Sequence, residues 1–361
     1  MTKAAELAKM GEVLTNSQIG GRRNLVINGA MQVAQRGTSF TSVAASAYHL
    51  DRFQYNLVGT VGDCTITQNT VSDLAGFTKS LKVDVTTADG SLAVSDRLAL
   101  CYKMEGQDLQ QVAKGTSSAE QLTLSFYIKA TKTGTQIVEL FDHDNTRHCA
   151  KSVTINSSDT WEFKTITYPA DTTGAFDNDN ANSLSIFFGL AVGTNFTSGT
   201  LATAWASNTN ANRFVGQVNH FDSADNNFEI TGVQLEVGSV ATPFESRSFG
   251  EEMQLCQRYF VRLSRNDAYG EFFLLRTYDT SNGTCAHHLP VPMRDSPTLE
   301  TSTVNSSNFS YSLSALSIGH ASTNFQNVEL FATGSFTANG AAVVQKANNT
   351  DVITIDFVAE L

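Results

Sequence analysis

The sequence predicts a mainly β protein: an N-terminal helix, a large jelly-roll β-sandwich, a short connecting helix and a smaller C-terminal β-sandwich. Three observations carry this expectation. Apolar and polar residues alternate with a period of two over most of the chain from Asn24 onward, the pattern of strands with one buried face. Turn-forming clusters of Gly, Asn, Asp and Ser separate these stripes at short intervals. Charged residues make up only 16% of the chain, too few for helices with charged outer faces but enough for stacked strands with polar turns. At 361 residues the chain is too long for one ordinary core, so several domains are expected. The divisions read from the sequence are residues 1–23 (anchor helix and hinge), 24–248 (jelly roll), 249–261 (connecting helix) and 262–361 (C-terminal sandwich).

Residues 2–14, TKAAELAKMGEVL, place Ala4, Leu7, Ala8, Met10 or Gly11, and Leu14 along one helical face. So short a helix is marginal alone in water, which makes Leu7, Met10 and Leu14 candidates for an oligomer or anchor contact; capping its own β domain is the other use open to it. Gly20-Gly21 breaks the helix. The stripes that follow are Leu25 and Ile27; Leu122, Leu124, Phe126 and Ile128; and Leu184, Ile186, Phe188, Leu190 and Val192. Turn signals fall at Ala88-Asp89-Gly90, Thr133-Gly134, Ser157-Ser158-Asp159, Asp177 to Asn182 and Asn208 to Asn212. A domain of this length exceeds an immunoglobulin-like sandwich and suits a jelly roll with long loops.

In FEITGVQLEV (Phe228–Val237) the alternation slips at Gly232, which predicts a β-bulge. Pro243 stops simple continuation of the strand. After Ser248 the period becomes helical, with Phe249, Met253, Cys256 and Tyr259 or Phe260 on one face and Glu251-Glu252 in the first turn. Met253 joins the oligomer and anchor candidates. Beyond Phe260, residues 272–280, 287–293 and the stripe around Ile353, Ile355 and Phe357 read as strands, Asn282-Gly283 as a hairpin turn, and 301–325 as a strand pair.

A net charge of −11 with no basic cluster argues against nucleic acid as partner. The five cysteines stand far apart with no CxxC, so they are expected as free thiols packed as small apolar groups, as in a reducing cytoplasm. No apolar run opens the chain, so no signal peptide is expected. No window approaches 18 apolar residues, so no membrane insertion is expected, and no cofactor or metal motif is found.

Asp142-His143-Asp144 with His148 is the densest group of acid-base residues, but LFDHDNTRH also reads as a hairpin turn, the preferred reading. His287 and His288 alternate faces and cannot share one ion. Glycoside cleavage needs two carboxylates about 5 to 10 Å apart; Asp142, Asp144, Asp177, Asp179, Asp222, Asp225 and Glu229 all sit in turn-like sequence, and none is singled out. The chain is therefore not expected to be an enzyme. Sugar binding needs exposed rings beside amides or carboxylates. Trp205 with Asn208 and Asn210 is the best candidate, although packing of that ring against a neighbouring loop or subunit is the preferred reading for it; Tyr311 near Phe309 is a second, while Trp161 reads as core.

The chain also resembles a known family. NLVINGAMQVAQRGTSF (Asn24–Phe40) and YHLDRF (Tyr48–Phe53), the middle section Met104–Leu140, and ITGVQLEVGSVATPFE (Ile230–Glu245) followed by GEEMQLCQRYF (Gly250–Phe260) resemble, in order, the β-rich module of bacteriophage tail-fibre and related virion proteins. The resemblance implies a jelly roll shaped like a carbohydrate-binding module. It implies a virion structural protein assembled in the host cytoplasm, a trimeric tail fibre or fibre-like appendage that attaches to host surface carbohydrate. The implied partners are other copies in a homotrimer and other virion proteins through the N-terminus. A head-decorating or fibre-adaptor protein without receptor role is the alternative, and a polysaccharide depolymerase comes third.

Overall fold

The computed structural model describes Lys3 and residues 22–265, 271–301, 304–305, 312–322, 326–346 and 353–361. The helix expected to carry Leu7, Met10 and Leu14 lies outside the described residues, as do Phe309 and Tyr311. The chain divides into two compact units, the second running Phe249–Glu360.

The first unit contains thirteen described strands: β1 (Ser39–Val43), β2 (Ala47–Tyr48), β3 (Phe53–Val58), β4 (Cys64–Thr70), β5 (Lys79–Val85), β6 (Arg97–Glu105), β7 (Leu122–Ala130), β8 (Gly134–Asp142), β9 (Arg147–Ile155), β10 (Glu162–Tyr168), β11 (Asn182–Val192), β12 (Ala206–Ser207) and β13 (Asn227–Val237). They form two antiparallel sheets. One has the order β1, β4, β5, β13, β7, β10 and the other β12, β9, β8, β11, β6, β3, β2. The predicted stripes meet between them. Leu122, Leu124, Phe126 and Ile128 of β7 face Leu184, Ile186, Phe188 and Leu190 of β11 in one core, with the Phe126 and Phe188 rings edge to face at 5.2 Å. This is the sandwich the period-two pattern predicts. Its seven-stranded sheet also has a covered outer face. There Phe196 and Phe214, from the loop after β11, pack on Ala99, Cys101, Ile137, Ala150 and Phe187.

The two ends of the first unit are clasped together. β13 pairs with β7 through a register shift between Thr231 and Gln234, and Gly232 sits in it at φ +61°, the bulge the sequence predicts. Beyond the bulge, the Gln234 carboxamide accepts from Glu245 N–H at 2.8 Å, and the Glu236 carboxylate takes the Thr242 N–H and hydroxyl at 2.8 and 2.7 Å. These bonds fold the segment after β13 back on itself. Glu245 then accepts both the Arg23 and Asn24 N–H groups at 2.7 and 2.6 Å. Asn24 in turn donates to Val233 O and accepts from Leu235 N–H, at 3.1 Å each. The opening and closing phrases of the family resemblance are therefore two halves of one polar clasp, each satisfying backbone groups the other leaves open.

The second unit starts with α1 (Phe249–Gln257), in which Cys256 is buried, Met253 half-buried and Phe249 55% exposed. The helix is shorter than the expected 249–261, because Phe260 already pairs with Val358 and Tyr259 N–H closes a turn onto Cys256 O. Its strands are β14 (Phe260–Arg265), β15 (Glu271–Thr277), β16 (Asn282–His288), β17 (Thr298–Thr301), β18 (Val304–Asn305), β19 (Ser312–Ala321), β20 (Asn327–Ser335), β21 (Ala341–Lys346) and β22 (Ile353–Val358). A three-stranded sheet, β14, β22, β17, accompanies a six-stranded sheet, β18, β21, β15, β16, β20, β19. Val261, Leu275, Leu330, Val344, Ile355 and Phe357 are among the residues of the core. Asn282-Gly283 is not the hairpin turn. Both residues pair in β16, and the turn lies just before them, where the Asp279 carboxylate accepts the Ser281 and Asn282 N–H groups at 2.6 Å. Residues 289–293, expected to extend a strand, lie beyond its end at His288.

Candidate functional site

The structure tucks the Trp205 ring partly inward while Ala204, Ala206 and Ser207 beside it stay exposed. Trp205 is half-buried against the main core, and its indole N–H donates to Pro169 O at 2.8 Å. The next two residues form β12, an edge strand on His148 and Arg147. Asn208 is half-buried and donates its N–H to Thr146 O at 2.9 Å. Asn210 is exposed and opens a single 3-10 turn.

Behind Trp205 stands a buried ionic group. The Lys114 ammonium lies 2.6 Å from Asp142 and 3.1 Å from Asp171, donates to Thr173 O and Gly174 O at 2.9 and 2.7 Å, and is within 5.4 Å of the Trp205 and Phe176 ring centres. Arg147 forks onto Asp171 at 2.8 and 3.1 Å. Burial alone would raise the Asp171 carboxyl; the hydrogen bonds from Arg147 and Lys114 outweigh it and hold it below the usual carboxylate range. Every charge is matched, which is what makes burying them tolerable.

The other acid-base candidates serve as turn and core acceptors. Asp142 takes the Asn145 N–H at 3.0 Å, closing the β8–β9 hairpin as the turn reading requires. Asp144 takes the Asp177 N–H at 2.9 Å, and Asp179 that of Ala181 at 2.9 Å. Asp222 pairs with Lys132 and Asn226, Glu229 is buried against Asn69 and Ser80, and Asp225 is exposed. His148 donates its Nδ1–H to Glu139 at 2.9 Å, a fully buried carboxylate that Arg213 also grips at 2.6 to 3.1 Å. Burial would raise the Glu139 carboxyl, but Arg213 and then His148 bring it below its ordinary value. In the second unit, His287 faces the core against Phe273 and Phe357, while His288 lies on the other face with Asn327 at 2.8 Å. Among the described residues no three His, Cys, Asp or Glu side chains gather to hold a metal ion. Cys64, Cys101, Cys149 and Cys256 are buried free thiols, and Cys285 is a half-buried one.

A different surface brings rings and polar groups into the open: the outward face of the six-stranded sheet. Phe163 on β10 pairs across from Tyr127 on β7, their ring centres 5.0 Å apart. Phe77 packs on Tyr127 at 5.3 Å and Phe244 on Phe77 at 5.2 Å, making a row of four rings. The bulge makes this row possible: a Cβ on Gly232 would sit 2.7 Å from the Phe77 ring and 3.1 Å from that of Tyr127. Phe163, at the sheet edge, is 51% exposed. Thr165 and Thr167 continue its exposed side of β10. At the near end, the Trp161 indole N–H donates to Asp73 at 2.9 Å, Asp73 pairs with Lys129 at 3.0 Å, and Lys129 lies 5.7 Å from the Trp161 ring centre. The hydrogen bonds from Lys129 and Trp161 hold the Asp73 carboxyl below its usual range. Rings that offer an apolar face, bordered by hydroxyls and an ion pair, suit a ligand that is apolar on one side and rich in hydroxyls at its rim.

The sequence reading overlooked this row, although its parity was legible. Ile166 and Tyr168 are the buried residues of β10, so odd positions, Trp161 and Phe163 included, fall on the opposite face. Trp161, read as core, is half-buried on that side.

No protein-family model matches the chain, and no curated protein matches it. Solved structures with some likeness include the enzymatically active domain of tailspike protein 4 of bacteriophage CBA120 (15% identity, TM-score 0.29), where the match covers 59% of this chain and 21% of that one. A putative sugar binding protein from Bacteroides thetaiotaomicron gives 13% identity and a TM-score of 0.33, over 60% of this chain and 100% of that one. A family 11 carbohydrate-binding module from Clostridium thermocellum, in complex with a mixed-linked tetrasaccharide, gives 15% and 0.26, over 57% and 99%. The chain thus spans about a fifth of the tailspike structure. The class of protein that its own fold defines is a two-unit β-sandwich protein.

Proposed function

We propose that the protein is a non-enzymatic virion protein of a bacteriophage, a homotrimeric fibre or fibre-like appendage that holds host surface glycans on the outward face of its six-stranded sheet. The phage assignment is supported by the ordered phrases from Asn24 to Phe260. The glycan assignment is supported by one observation above the rest: a half-exposed Phe163 beside Tyr127 and Trp161, bordered by Asp73, Lys129 and Thr165. Pyranose rings present C–H faces to aromatic side chains and hydroxyls to carboxylates and ammonium groups. A trimer presents three such surfaces to one envelope, so weak contacts gain avidity.

The test is binding of the full chain to a panel of bacterial surface polysaccharides, alongside adsorption of the particle to its host. Phe163→Ala and Trp161→Ala are expected to weaken binding at least tenfold with little change in melting temperature. The reading fails if the full chain binds no surface glycan, or if Phe163→Ala binds as tightly as the parent. Adsorption that persists on removal of this protein would favour a head-decorating or adaptor role.

A further inference from the structure

The second unit carries its own exposed apolar patch. On the outward face of its six-stranded sheet, Leu274 of β15 is 68% exposed and pairs beside Val343 of β21. Arg276, on the same side of β15, lies between Ala341 and Thr284. Two strands over, Glu329 of β20 pairs beside Ala286 and accepts the Thr284 hydroxyl at 2.8 Å, which pins its carboxylate to this face. Leu274, Arg276, Thr284, Ala286, Glu329 and Ala341 border a depression of about 420 Å³. Val343, Ala286 and Ala341 extend the apolar surface around Leu274 on this face, and it is such a neighbouring group, not a lone exposed leucine, that marks a contact surface.

We propose that this face is a two-fold contact between two copies of the chain. Leu274 of each copy enters the depression of the other, and Arg276 of each meets Glu329 of the other. The patch is complementary to itself. It holds an apolar projection, a space beside it, and a cation and an anion about 12 Å apart, two strand spacings across and one two-residue step along the strands. A two-fold rotation about the centre exchanges those two sides, bringing each group onto its match. Because this contact joins chains in pairs, it is separate from the three-fold assembly proposed above and does not rest on the glycan reading.

Sedimentation equilibrium of the full chain tests it. The particle mass of the parent is expected to be twice that of Leu274→Glu, whatever cyclic assembly underlies both. Arg276→Glu should also halve the mass, and Arg276→Glu combined with Glu329→Arg should restore it. Unchanged melting curves would show that the variants fold, as expected for exposed positions. Equal masses for the parent and Leu274→Glu overturn the proposal, as does a double variant that stays apart. Glycan binding by the Phe163 surface is measured separately and can fail or succeed without altering this mass ratio.

Discussion

The outward faces of the first unit's two sheets are built to opposite ends. On the seven-stranded sheet, a long loop lays Phe196 and Phe214 over the strands and lowers Arg213 onto Glu139, so that face is closed and its charges are matched in the dark. On the six-stranded sheet, the Tyr127 row is left half-open and its ion pair, Lys129 with Asp73, stands in solvent. The same strand alternation places side chains on both faces; what differs is the connecting chain above them. Removing a group from the covered face should therefore cost stability, and removing one from the open face should cost contact.

The sharpest break of this contrast is Arg213→Ala. It leaves the buried Glu139 carboxylate without its fork, and the expected loss is about 3–5 kcal/mol, a fall in melting temperature of roughly 6–20 °C. Adding Glu139→Gln should recover part of the loss, because the stranded charge is then gone; calorimetry of both variants checks this.

Acid should act next. His220 is fully buried, bonded through Nε2 to Gln136 at 2.9 Å, and burial lowers its pKa from 6.5 to about 3. The unfolded chain therefore takes up a proton near pH 6.5 that the folded chain refuses until about pH 3. His220 stabilises fully above pH 6.5, and that contribution is lost as pH falls, by about 1.4 kcal/mol per pH unit. Melting temperatures between pH 7 and 4.5 should drop less steeply in His220→Gln than in the parent.

Gly232→Ala probes the scaffold of the open face. With φ at +61° and the Phe77 ring in the way, the expected loss is about 1–3 kcal/mol, and binding at the Phe163 surface should weaken with it as the row of rings shifts. The smallest stability effect belongs to Phe163→Ala. At a half-exposed edge position it should stay within about 0.5 kcal/mol while binding falls. A large melting shift there would erase the distinction between the two faces.

Strand periodicity made the sandwich legible. Leu122 to Ile128 and Leu184 to Leu190 alternate so cleanly that their burial followed from spacing alone, and Gly232 marked its bulge. Asn282-Gly283 misled because turn propensity is local, whereas pairing with β20 carried both residues into a strand. The helix after Ser248 ended early for the same reason: its last apolar residues had a β-partner near the far end of the chain. Small polar neighbours made Trp205 the best sugar-contact candidate even though packing against a loop was the preferred reading for it, and the ring is half-buried. Lys114, ninety-one positions earlier, supplied the buried environment that no local pattern could reveal. The Phe77–Phe244 contact joins residues 167 positions apart, so the row was beyond any short window. Phe163 itself was accessible by counting parity from Tyr168.

The clasp between Arg23-Asn24 and Glu245 has a mechanical meaning. A pull along the polypeptide would enter the first unit near residue 23 and leave it near residue 248, and these two points are fastened directly to each other. The tension would run through a handful of carboxylate and amide bonds at the base, leaving the strands above them unloaded until that fastening gives way.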